Sequence, residues 1–331
     1  MEQSRLSEVQ LGITAAAIAG DHASLYRLVA ELLDDGVPFE TVLFDVLLRS
    51  ERDVGLRWQA GDYLVSEEHA ATASLETVIA LLAGSFDRPQ DGTFVVVAAA
   101  QGDTHSLPAR AVAAHLLFLG YRTTFLGADI LASDLGEYLE SEPPDAVVLS
   151  CAMSNHLLGA RASVKASHDV AVPVLVGGRA FGENGLWAPG VGADAWVAEP
   201  RDVATHLETW SPDPVAAEAG AKNPGGLLEG VIDQHNAVLA EAERRLADSI
   251  GEPVSARLRN ELAIALEATE ASMLVEDATL LSHFLEWQRQ TLDAHGLANH
   301  TSPVEPLVGA LETISPEAAA WVDQAAGRAD A

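Results

Sequence analysis

The stretch from Thr93 to Ala100 narrows the possible folds more than any other in this chain. Thr-Phe-Val-Val-Val-Ala-Ala-Ala is almost continuously apolar and rich in β-branched residues, the pattern of a parallel strand covered on both faces. The chain then turns at Gly102. Ala109, Val112, Ala113, Leu116 and Leu117 recur at helical spacing, which predicts a helix with Ser106 as its cap and Pro108 in its first turn. Strand, loop and helix place Asp103-Thr104-His105 at the carboxyl end of a strand, where open α/β sheets hold their ligands. An Asp two residues before a His can accept one ring N–H and leave the other nitrogen for a metal. By these residues alone, an ordinary surface-loop histidine reads equally well.

Two further strand patterns follow. Ala146-Val147-Val148-Leu149 leads into Ser150, and Val172-Pro173-Val174-Leu175-Val176 leads into Gly177-Gly178. The preceding segment is helical in pattern. Leu11, Ala15, Ile18, then Leu25, Leu28, Val29, Leu32, Leu33, then Val42, Leu43, Val46, Leu47, then Ala70 to Leu82 keep a period near 3.6, with Gly20, Gly36 and Gly61 at the expected helix ends. Four helices with short connections predict a bundle over 1–88. Trp58 reads by itself as a core aromatic, and Glu68-His69 as a solvated helix start.

The combination resembles the CarH-like light-sensing adenosylcobalamin proteins. It consists of Trp58, then Glu68-His69 after nine residues, a strand ending in an Asp-x-His loop, Ser150 after the next strand and the Gly177-Gly178 pair. The resemblance covers 1 to about 208. It implies a four-helix cap on a Rossmann-like cobalamin-binding domain over 89–208. It also implies His105 as cobalt's lower axial ligand with Asp103 behind it, Ser150, Gly177 and Gly178 around the displaced nucleotide tail, and Trp58, Glu68 and His69 at the adenosyl side. Three residues depart from the family pattern. Pro108 takes the motif's Gly position, and Ala152 stands where a hydroxyl or larger residue is frequent. Gln59 replaces the His that takes cobalt's upper face after photolysis, so His69 or water are the candidates for that place. The basic helix-turn-helix of those repressors is absent ahead of the bundle, and a repressor role is not expected.

Residues 209–225, rich in Pro, Ala and Gly, predict a linker. The segment 226–331 is helical again, with stripes at Leu227, Val231, His235, Val238, Leu239, at Leu258, Leu262, Ala265, Leu266, and at Leu274, Ala278, Leu281, Leu285, Leu292, followed by two shorter helices from Pro303. The fold class expected for the whole is α/β plus all-α, with a helical last domain for which a globin-like arrangement is one alternative. A helical domain behind a light-sensing cobalamin module resembles the photocobilins, which implies biliverdin as a second chromophore near His235 and His283. With no cysteine in this segment a bilin would be held without a thioether. Its propionates would need cations from among Arg244, Arg245, Arg257, Arg259 and Arg289. Haem on His235 or His283 is the competing reading. Removal of 215–331 is expected to leave cobalamin binding intact.

The formal net charge of -30 disfavours sequence-independent nucleic-acid binding. The single cysteine, Cys151, rules out an internal disulfide, and no apolar run reaches the length of a membrane span. Taken with the resemblance, which implies the photoreceptor role, these features lead to the expectation of a cytoplasmic photoreceptor rather than an enzyme. It would bind adenosylcobalamin and biliverdin, form a homo-oligomer and signal to a separately encoded output protein, without nucleic-acid or membrane partners. The alternatives are a corrinoid methyl carrier of a methyltransferase system and a haem-containing redox or gas sensor.

Overall fold

The computed structural model describes residues 2–87, 89–210, 226–297 and 302–329. Four helices come first: α1 (Glu2–Ile18), α2 (His22–Asp34), α3, which starts as a π-helical stretch over Thr41–Leu47 and continues as an α-helix over Leu48–Gln59, and α4 (Val65–Ala83). The π stretch answers a sequence with few polar breaks: Val42, Leu43, Phe44, Val46 and Leu47 are all buried, and the wider turn lets five of seven residues face inward. Gly20, Gly36 and Gly61 sit at the turns with φ of +66°, +82° and +78°, values L side chains rarely adopt.

The second unit is a five-stranded parallel sheet in the order β2-β1-β3-β4-β5. Its strands are β1 (Phe94–Ala99), β2 (Arg122–Gly127), β3 (Ala146–Ser150), β4 (Val174–Gly177) and β5 (Ala195–Val197). Helices α5 (Leu107–Phe118), α6 (Ala132–Ser141), α7 (Leu157–Asp169) and α8 (Val203–Thr209) accompany it. Every residue of β1 is buried, as its unbroken apolar run demands. In this strand order the winding reverses between β1 and β3, which opens a crevice at their carboxyl ends.

Helix α5 lies between two cores. Leu107, Ala111 and Ala114 join the cap's interior, whereas Ala109, Val112, Ala113 and Leu116 pack with Val95, Val97 and Leu175 of the sheet. Its N-cap differs from expectation. Ser106 makes no capping bond; its hydroxyl donates to Glu76 of α4 and ties the loop to the cap.

The C-terminal region comprises, among the described residues, α9 (Gly226–Asp233), α10 (His235–Ile250), α11 (Ala256–Leu274), α12 (Ala278–Ala294), α13 (Val304–Glu312) and α14 (Pro316–Ala329). The stripe from Leu227 to Leu239 is not one helix, because the chain breaks at Gln234 between α9 and α10. The linker expected over 209–225 lies, from 211 on, outside the described residues. The region is not a free appendage: its buried residues form one continuous core with the sheet face carrying Val96, Val147, Leu149 and Val176 and with α7. Asn155 donates to Glu267 at 2.8 Å, and Trp187 to Asp277 at 3.0 Å, across this junction. Among the described residues no helix is long and apolar enough to cross a membrane.

Candidate functional site

A cavity of about 580 Å³ opens between the cap and the carboxyl ends of the strands. Trp58, Gln59, Glu68, His69, His105, Ser150, Gly177 and Gly178 all line it, so the structure brings these sequence-predicted residues to one place. Asp103 lies just behind, fully buried.

The His105 loop is held from its carboxylate outward. One oxygen of Asp103 accepts the His105 backbone N–H at 3.0 Å and the ring Nδ1–H at 2.7 Å; the other accepts the Ala152 backbone N–H at 2.5 Å. His156 stands 3.7 Å from the first oxygen. Burial by itself would raise this carboxyl, but the hydrogen bonds from His105 and Ala152, with the neighbouring His156, outweigh it and hold Asp103 well below the usual carboxylate range. The same bond raises His105 above an ordinary histidine, against the opposing effect of burial. With Nδ1 taken by Asp103, Nε2 is the nitrogen left for a ligand in the cavity.

Backbone shapes the next two loops. Gly178 has φ +113°, and a Cβ there would overlap the Cys151 carbonyl. Gly177 has an ordinary conformation, its nearest neighbour being the Val197 carbonyl at 3.4 Å from a Cβ position. Pro108 sits at the start of α5 and lines the cavity without displacing His105, and Ala152 contributes its backbone rather than a hydroxyl.

On the cap side, Glu68 accepts from His69 Nδ1 at 2.6 Å and from the Thr72 hydroxyl at 3.0 Å, and the His69 side chain is 75% exposed. Sequence reasoning missed Glu51, which lines the cavity and whose carboxyl is raised by burial despite the nearby His105 and Arg179. The signal was there: Glu51, Gly55, Trp58 and Gln59 share one face of α3 at helical spacing. Arg179, Trp196 and Trp287 were also missed, the last because it comes from the C-terminal region.

His235 and His283 are not part of this cavity. His235 Nδ1 donates to Glu270 at 2.7 Å, burial raising that carboxyl against the histidine's pull, while His283 is exposed on α12. Four of the five candidate arginines are bound to acidic residues: Arg244 and Arg245 to Glu241, Arg259 to Glu243, and Arg289 to Glu286. Among the described residues no group of three or more His, Cys, Asp or Glu could hold a metal ion.

Two family models, both described as B12 binding domain, match residues 10–83 and 94–208. The HTH-type transcriptional repressor CarH of Myxococcus xanthus is 32% identical over 145 residues, 42% of this chain, and the match spans 46% of that relative. The monomethylamine corrinoid protein of Methanosarcina barkeri superposes with a TM-score of 0.51 at 20% identity, covering 61% of this chain and 99% of that one. This last likeness is one of fold. The cap, the sheet with its His105 loop and the two family matches together make residues 10–208 a B12-binding module, a helical cap over a Rossmann-like sheet, with a helical region behind it.

Proposed function

We propose that this chain is a photoreceptor whose module binds adenosylcobalamin. The observation that carries the reading is a single cavity in which Trp58 and the Glu68-His69 pair of the cap face a histidine already oriented by a buried carboxylate. Bound adenosylcobalamin supplies a cobalt–carbon bond that light cleaves, and that chemistry is the cofactor's own.

The chain's residues hold and orient it. His105 would ligate cobalt from the sheet side, imidazole being a suitable donor for that metal. Ser150 would bond the displaced nucleotide tail, with the bare backbone of Gly177 and Gly178 beside it. Trp58 would cover the cap side. Gln59 leaves that side without the histidine implied by the family pattern. His69, held by Glu68, or water would stand in for that histidine beside the cofactor on the cap side.

Assembly of copies and a separate output protein belong to the same proposal. A bilin in the C-terminal helices draws no support from His235 and His283, which stand on different helices with different surroundings. Titration with biliverdin tests that point directly.

The main test is the visible spectrum of protein loaded with adenosylcobalamin, in the dark and after green light. Loss of the adenosyl spectrum under light is expected. A light-stable spectrum in a protein that also binds methylcobalamin would overturn the photoreceptor reading and leave the methyl carrier.

A further inference from the structure

Helix α12 touches both halves of the B12-binding module. At its start, the Asp277 carboxylate accepts the Thr279 backbone N–H at 2.9 Å as a helix cap and also the Trp187 indole N–H of the sheet domain at 3.0 Å. Just past its end, His295 Nε2 donates to the Trp58 carbonyl at 2.9 Å, and the two rings stand 5.7 Å apart. There the Ala294 carbonyl presses so closely on Gly61 that a Cβ would meet its oxygen at 2.6 Å. The 17 residues between these anchors span about 25 Å at the rise of an α-helix.

Between the anchors, Trp287 reaches the wall of the cavity, with Phe284 5.5 Å behind its ring. It lies two turns, about 12 Å, before His295, and so stands between the cap contact and the sheet contact. An indole at that level offers a large apolar face to the rim of a flat macrocycle. Lifting the cap from the sheet must break one anchor of α12 or bend the helix.

We propose that α12 forms a third wall of the corrin site. Trp287 packs against the bound corrinoid, and the His295–Trp58 contact passes the cap's position to the C-terminal region. The inference rests on the cobalamin reading above. Because such coupling is reciprocal, a cofactor that fixes the cap also fixes α12, and loosening α12 loosens the cofactor.

The test uses the full chain loaded with hydroxocobalamin in the dark. Trp287→Ala is expected to release it about tenfold faster than wild type, the size of effect seen for a buried aromatic anchor, and Trp287→Phe to fall between the two. Both variants should keep the histidine-ligated spectrum. In wild type, hydroxocobalamin should slow amide exchange over residues 286–297. Release from Trp287→Ala at the wild-type rate, or exchange in that segment indifferent to the cofactor, overturns the proposal and leaves cobalamin binding standing. If Trp287→Ala does not fold, Trp287→Phe and the wild-type exchange decide it. A wild-type protein that binds no cobalamin overturns the cofactor reading itself and this inference with it.

Discussion

Asp103 serves three donors while wholly buried, and its neighbours keep it ionised against the cost of burial. Removing that charge should affect affinity more than fold. Asp103→Asn is expected to weaken cobalamin binding about 10- to 100-fold, the usual effect of losing the group that orients a metal-binding histidine. His105→Ala should abolish the histidine-ligated spectrum altogether. Absorbance titration of both variants is the check, and an affinity unchanged in Asp103→Asn would show that His105 is oriented by something else. The neighbouring glycines separate just as cleanly. Gly178→Ala should cost roughly 1–3 kcal/mol in urea unfolding, since its φ of +113° and the adjacent Cys151 carbonyl leave no room for a methyl group. Gly177→Ala should cost much less. The Gly-Gly pair was legible as a place of close backbone approach. Which glycine the fold requires was not, because that depends on a contact with Cys151, a residue 27 positions away.

Helix α5 is the element that couples the cap to the sheet, and His115 marks the seam. It is 3% exposed and stands edge-on to Phe44 of the cap at 5.0 Å. Burial lowers its pKa, so the folded protein resists protonation there while the unfolded chain accepts a proton below about pH 6.5. The unfolded state then binds more protons. Stability from this group is therefore complete above pH 6.5 and is lost as the pH falls below it, with a slope of at most about 1.4 kcal/mol per pH unit. Denaturant unfolding between pH 7 and pH 5 should show a smaller acid loss in His115→Leu than in wild type; equal losses would refute the assignment. At this scale much was readable in advance. Four cap helices, the buried strand β1 and the helix after His105 follow from period and composition. The π stretch over Thr41–Leu47 was not readable, because a run of buried apolar residues suits an α-helix as well. Nor was the break at Gln234, since the apolar stripe runs straight through it.

The cap, the sheet and the C-terminal helices share buried surfaces and contacts. The stripes at Leu262, Ala265 and Leu266 announced an apolar face on α11 but not its partner. Amphipathic periodicity says that a face is buried, not against what. In the folded chain that face belongs to one core with α7 and the inner face of the sheet, and Asn155–Glu267 and Trp187–Asp277 close its edges. The expected removability of 215–331 therefore changes. A chain ending at residue 210 would lose the C-terminal share of that core, leaving part of it uncovered, and it would lose the α12 brace on Trp58. Such a surface promotes association. Lost burial lowers the melting point by about 2–4 °C for each kcal/mol in a domain of this size. The truncated protein should accordingly melt lower than the full chain, bind a hydrophobic dye in its folded state and release cobalamin faster. Full-length stability and release rate in the truncated protein would mean that the shared core contributes little, and that the C-terminal helices are packed on the module without supporting it.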